Sequence, residues 1–353
     1  MTAAHQTISA VVAFVLLSLL TVHTVSVYGQ SVSFTPVGSI SGPIDLVEAE
    51  GTLAFISVSE TLTIFDIQNP ATPTRKGSHV FPEKIWGFEV IGSLVYVAAG
   101  HSGLWIVDVT DPTKPNLLGS IKTPGQAKNV AVSGSRAVVA DHMSGIDVID
   151  ISDLTHPVSV GSVYTDGYAR DVAMFGTQAY GVDHPAGFYV LDMTAADPLE
   201  PVGMLQSASA PRHVDIMESA PNIAVLLGGV PYDPLRALRT EPQIDDPSGT
   251  LQIYDVSNQQ SPLLITTFST PGDAQRARFA DTFAYVADGP AGLTIVDLSD
   301  PSDPEIIGNY QTRNSARDVA VADTAVLIID GTIRRGSHGN EDGDVIILQK
   351  STK

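Results

Sequence analysis

One period organises this chain. The segments TLTIFDIQNPATP (61–73), GLWIVDVTDPTKP (103–115), GIDVIDISDLTHP (145–157), GFYVLDMTAADPLEP (187–201), TLQIYDVSNQQSP (250–262) and GLTIVDLSDPSDP (292–304) are variants of one pattern. Their anchor aspartates are Asp66, Asp108, Asp150, Asp192, Asp255 and Asp297; the spacing is 42 residues, broken once by a gap of 63. A seventh copy, GDVIILQ (343–349), carries Leu348 at the anchor position. A fixed period of this size is the mark of a repeat architecture, in which each unit buries its faces only against its neighbours.

Each unit resolves into four short strands. In the third copy these are NVAVSG (129–134), RAVVAD (136–141), GIDVIDI (145–151) and PVSVGSV (157–163), here called a to d, with Gly, Asp, Ser and Pro between them. Strand c is almost continuously apolar, which suits a sheet covered on both faces. Seven such units predict an all-β fold, a seven-bladed β-propeller of four-stranded antiparallel blades. The ends of the chain agree with a closed ring. FTPVGSI (34–40) matches the d strands NLLGSI (116–121) and EIIGNY (305–310) but follows no c strand, while the seventh copy stops after its c strand. Pairing the two closes blade seven with the N-terminal strand and leaves no open sheet edge.

The strand c motif, as in Gly292-Leu293-Thr294-Ile295-Val296-Asp297 and Gly103-Leu104-Trp105-Ile106-Val107-Asp108, resembles the LVIVD repeat family across residues 34–349. Thr61 and Asp344 alter the opening of two copies and Leu348 replaces the last anchor. The resemblance implies a propeller in an exported or surface-attached protein and little chemistry.

Residues 1–29 read as a signal peptide and 30–353 as a single propeller domain. Ile8 to Leu20 is an apolar run, and Val27-Tyr28-Gly29 supplies a cleavage site after Gly29. The preceding segment MTAAHQT has no Lys or Arg, so an uncleaved N-terminal anchor is the alternative, although a span needs about 20 apolar residues. The absence of cysteine fits an oxidising compartment and excludes disulfides, thiolate metal sites and a catalytic thiol. A net charge of -20 repels phosphate backbones, so nucleic acid is not expected as a partner. The expected location is the periplasm, the medium or the cell surface, as a monomer.

The six anchor aspartates end their strands ahead of a turn, as Asp108 does before Val-Thr-Asp-Pro, where a carboxylate accepts backbone N–H bonds; the spacing of pairs such as Asp108 and Asp111 is too sparse for a calcium loop. More informative is the face carrying the d-to-a and b-to-c turns, around the channel mouth. Alignment places Ile44, Trp86, Lys128, Arg170, Arg212, Gln275 and Arg317 at the start of strand a, and Ser57, Ala99, Asp141, Asp183, Gly228, Asp288 and Asp330 at the end of strand b. His142, His184 and His213 lie beside them. Two readings stand: these groups brace neighbouring blades as Arg–Asp pairs, or they line a ligand site. Both insertions, VPYDPLRALRTEPQIDDPS (230–248) and GTIRRGSHGNED (331–342), fall on the same face and add Tyr232, Arg236, Arg239, Arg334, Arg335 and His338 as candidates. Neither a nucleophile elbow, a zinc-protease motif nor a phosphate loop is present. The function expected is non-catalytic binding or surface interaction with an extracellular protein, glycan or small molecule, without cofactor or metal. The alternative is a hydrolase or lyase acting on extracellular polymer at the channel mouth.

Overall fold

The computed structural model describes residues 32–184, 187–194, 200–206, 209–231, 249–331 and 343–351. The expected signal peptide and cleavage site lie outside these residues, as do 232–248 and 332–342, which hold nearly all of the two insertions and all six of their candidate side chains. Within the described residues the chain forms 28 strands and no helix, arranged as seven four-stranded sheets. Six blades are built from consecutive strands, for example Asn129–Ser133, Arg136–Ala140, Ile146–Asp150 and Val158–Val163 in blade three. Blade seven orders Ser33–Ile40, Gly343–Ser351, Val326–Gly331 and Ser315–Val321. The N-terminal strand is therefore the outer strand of the last blade, antiparallel to its c strand from Ser33↔Ser351 to Ile40↔Val345.

Continuously apolar c strands become buried on both faces: Ile146 to Ile149 and Leu293 to Val296 are buried throughout. The core accordingly divides into one cluster per blade interface. Tyr96, Leu104 and Ile106 of blade two meet Val130, Val139 and Ile149 of blade three in one. Ile44, Val47 and Ile56 of blade one meet Leu327, Ile329 and Ile347 of blade seven in another, which seals the ring. Each fully buried Val, Leu or Ile side chain contributes about 1.5–3 kcal/mol, so these sandwiches supply most of the cohesion between blades.

The Asp-Pro face is made of joints. Every anchor aspartate accepts the N–H two residues on: Gln68 to Asp66, Thr110 to Asp108, Ser152 to Asp150, Thr194 to Asp192, Ser257 to Asp255 and Ser299 to Asp297. The hydrogen bonds of this turn hold the carboxyls of Asp108, Asp150, Asp192 and Asp255 below the usual range, Asp150 to about 2 through Ser152 and then Arg136, while Asp66 is lowered by Lys76 first and Gln68 next. The turn so formed leans on the outer strand of the preceding blade at a glycine. A Cβ on Gly77 would meet the Pro112 carbonyl oxygen, one on Gly119 that of Leu154, and one on Gly38 that of Pro70. The last of these joins blade seven to blade one.

That close approach is tested by Gly119→Ala, whose Cβ would lie under 3 Å from backbone. The variant is expected to lose about 1–3 kcal/mol of stability, read as a lower urea midpoint with the β-sheet spectrum retained. The exposed neighbour Ser120→Ala should stay within about 0.5 kcal/mol of the parent.

Candidate functional site

The start of strand a is marked in blades one, two, three and six by a backbone bond to the end of strand b. Asp45, Trp86, Lys128 and Gln275 donate their N–H groups to Ser57, Ala98, Ala140 and Ala287. In blade one the sequence alignment is thus corrected by one residue: Asp45, not Ile44, stands at the start of strand a, and Val58, not Ser57, matches Asp141. Blade one's b-to-c turn is one residue shorter than those of blades two, three and six, because Ser57 pairs with Leu62 where Ala140 pairs with Ile146. Ile44 is instead buried in the interface with blade seven. Arg170 is the unpaired residue of a bulge between Ala169 and Asp171, Arg212 falls in one between Pro211 and His213, and Arg317 in one between Ala316 and Val319. Bulges re-aim side chains out of the ladder, here around the mouth.

The carboxylates at the end of strand b do not brace these cations. Asp141 accepts Thr123 Oγ1 at 2.6 Å and the Gly125 N–H at 2.5 Å. Asp183 accepts the N–H groups of Gly167 and Gly187 at 2.7 and 2.6 Å and the Tyr189 hydroxyl at 3.0 Å. Asp288 accepts Thr270 Oγ1, Thr294 Oγ1 and the Gly272 N–H, and Asp330 the N–H groups of Arg313 and Asn314. All four are buried and staple the incoming d-to-a loop to their blade. Burial raises the carboxyls of Asp141 and Asp288. Of the expected arginines only Arg212 reaches a neighbouring blade's acid, Asp273 at 2.9 Å.

Cations are consequently left over. Among the described residues Lys128, Arg170 and Arg317 form no ion pair, whereas Lys84 is held by Asp45 at 3.0 Å. Lys128 Nζ lies 3.3 Å from the centroid of the Trp86 ring. Burial, then Arg170 and Lys84, bring Lys128 down to about 8; burial and Arg212 lower Arg170. The rings of His142 and His184 are lowered by burial first and by Arg170 among the nearby cations. An arc of like charge, Lys84, Lys128, Arg170 and Arg212, therefore lines one side of the mouth of a chain whose net charge is -20.

His142 is strained as well as placed. Its φ is 55°; the same position is Gly100 and Gly289 in blades two and six, at 55° and 54°, and Ser59 in blade one, at 53°. A non-glycine residue in this left-handed region costs about 1–2 kcal/mol. Its ring stacks on Tyr168 at 4.8 Å.

His213 is not at the rim. It is buried in the channel wall, where Nδ1 bonds Asp171 and Nε2 lies 3.1 Å from the Ala277 carbonyl oxygen. Asp171 also accepts Asn129 and the Val214 N–H, so that His213, Arg276 and Asn129 together hold its carboxyl below the usual value against the upward push of burial. The next positions inward are ones the sequence reading missed. Arg278 donates Nε and Nη2 to the two carboxylate oxygens of Glu48, Asp215 accepts the Ile216 N–H, and Glu89 Oε2 is buried without a hydrogen-bond partner. They line a cavity of about 420 Å³. Polar residues two apart on an inward strand were the available signal, but they read equally as solvent-facing alternation. Among the described residues no group of three or more His, Asp or Glu is placed to hold a metal ion.

The LVIVD repeat profile matches residues 42–80, 84–123, 124–165, 166–204 and 271–312, more than half of the chain. The chain belongs to the LVIVD repeat family. The copies of this LVIVD protein that go unmatched are the fifth and the seventh, those with insertions. No curated protein matches it. Similar solved structures include the Crystal Structure of Mitotic Checkpoint Complex (TM-score 0.68, 10% identity, 91% of this chain and 94% of that one) and the Neurospora crassa Pan2 WD40 domain (0.67, 14%, 92% and 97%). The Myceliophteria thermophila Cps50 (Swd1) β-propeller domain is similar too (0.67, 11%, 90% and 99%). At these identities the likeness is one of fold.

Burial pushes the Glu89 carboxyl up to about 8, with Glu48 and Asp215 adding to it. The folded protein keeps this proton to about pH 8, whereas an unfolded glutamate loses it near 4.5, so stability falls as pH rises through that window. Glu89→Gln is expected to gain about 1 kcal/mol or more at pH 8 and to flatten the profile, measured by urea unfolding at pH 5, 6.5 and 8. His142→Gly should likewise gain about 1 kcal/mol by relieving its backbone.

Proposed function

We propose that this chain is an exported, non-catalytic binding module that receives its ligand at the channel mouth, on the face of the d-to-a and b-to-c turns. One observation carries the reading: at that mouth the carboxylates are consumed by the fold, while among the described residues Lys128, Arg170 and Arg317 have no acidic partner. Acid–base catalysis needs a titratable group within hydrogen-bond reach of substrate. Asp141, Asp183, Asp288 and Asp330 are buried and occupied by their own loops. The one His–carboxylate pair in the channel wall, His213 with Asp171, is buried with both ring nitrogens engaged. A scaffold so regular, presenting groups that its own structure leaves unsatisfied, suits recognition of an extracellular protein, glycan or small molecule better than turnover.

The apolar run near the N-terminus, the lack of cysteine and the acidic composition support export. Placement of both insertions on the mouth face supports the choice of face.

Two measurements test this. N-terminal sequencing of the protein recovered outside the cytoplasm is expected to begin near Gln30; a species starting at Met1 in the membrane fraction would overturn cleavage and release. Deletion of 231–247 or of 332–341, each replaced by a short turn, is expected to leave the β spectrum intact and weaken binding on a glycan and protein array at least about tenfold. Unchanged binding by both would return those loops to ornament, and turnover of an arrayed polymer would replace the binding reading with a catalytic one.

A further inference from the structure

The mouth carries more than charge. Beside Lys128 and Arg170, the turns of blades three and four expose Met143 at 67%, Tyr164 at 75% and Tyr168 at 45%. The three are adjacent in the fold. Tyr164 passes its Cα beside Gly145, at the end of the turn that holds Met143, and Tyr168 stacks on His142 in that same turn. Exposed aromatic and thioether side chains gathered at one turn pair need a cause, because isolated apolar residues are ordinary at a surface and clusters are not.

The cations need a cause too. Mutual repulsion among Lys84, Lys128, Arg170 and Arg212 is unfavourable in the free protein, and the chain has a surplus of 20 negative charges with which it could have been relieved. Two of the four, Lys84 and Arg212, are neutralised by Asp45 and Asp273; Lys128 and Arg170, in the middle of the arc, are not. His142, whose ring stacks on Tyr168, stands between the charged and the apolar groups, at a position that is Ser59 in blade one and glycine in blades two and six.

We propose that the mouth binds an acidic carbohydrate: its carboxylate, sulfate or phosphate group sits between Lys128 and Arg170, and its sugar ring lies on Tyr164, Tyr168 and Met143. The proposal rests on the mouth being the binding face and names what it takes. An arginine beside a lysine offers a planar fork and a point charge to one oxyanion, while the aromatic faces take the apolar side of a pyranose. Lys128 is half buried with its ammonium over Trp86, so an arriving anion meets a cation already partly stripped of water.

Titration calorimetry on the purified chain decides it, with three acidic probes, a galacturonate tetrasaccharide, a heparin tetrasaccharide and glucose 6-phosphate, against neutral maltotetraose. At least one acidic probe is expected to bind, with affinity falling as salt rises, and maltotetraose to bind at least about tenfold more weakly. Arg170→Ala and Lys128→Ala should each weaken the acidic probe about tenfold or more, Arg170→Lys less, and Tyr168→Ala should weaken it too. Lys114→Ala, on the Asp-Pro face, should change nothing, and unchanged unfolding midpoints show that the variants are folded. The probe bound best identifies the acidic group. If acidic probes bind no better than maltotetraose, or bind equally to Arg170→Ala and Lys128→Ala, the proposal is overturned. In that event maltotetraose binding that Tyr168→Ala abolishes would leave the mouth as the binding face, and no binding at all would leave that reading to the deletion variants above.

Discussion

Blade-on-blade burial is the constraint from which everything else follows. A single four-stranded sheet of this size has two apolar faces and cannot hide either, so each blade is stable only between two others. Seven core clusters, one for each interface, meet that demand, and the seventh exists because residues 33–40 return to cover the c strand at the far end of the chain. Glycines on the outer strands and Asx-type turns on the Asp-Pro face are the fittings that let neighbouring blades come close enough for the apolar faces to touch. The Asp-Pro face repeats from blade to blade for that reason, and only the opposite face was free to vary.

What could be read from the sequence follows the same division. Anything that recurs was legible: the number of blades, the four strands of each, the closing strand and the turn-forming role of the anchor aspartates. Position along strand a was legible only while the turns kept their length, and the shorter turn of blade one shifted Ile44 and Ser57 off the pattern. The rim aspartates were found but their partners were not. Repetition suggested Arg–Asp braces between blades, whereas Asp141 and Asp288 reach back to a threonine and a glycine N–H sixteen to eighteen residues earlier, contacts set by loop geometry that no residue spacing announces. His213 was misplaced for a related reason. One step along a strand separates a side chain on the rim from one in the wall, and a bulge at Arg212 takes that step.

Charge is sorted along the channel. Its mouth holds an arc of cations, the next level holds hydrogen-bonded pairs such as Asp171 with His213, and deeper still Glu48, Glu89 and Asp215 lie around the guanidinium of Arg278. Burial there presses the carboxyls towards their neutral forms, while at the mouth it lowers the lysine. An anion approaching along the axis is therefore attracted at the opening and meets no comparable attraction further in, where the carboxyls are paired with Arg278 or pressed towards neutrality, and this favours the rim.

The closing ladder also determines how the ring comes apart. Ser33 pairs with Ser351, and Ile40 with Val345, so the two free ends of the strands lie side by side at the same end of the ladder. Tension drawn between the chain's ends does not shear this seam along its length; it peels the pairs one after another, beginning at Ser33 and Ser351, at a far smaller force than breaking them together would need. Mechanically the protein is a clasp: firm against heat spread evenly over seven interfaces, and easily opened by a pull at its fastening.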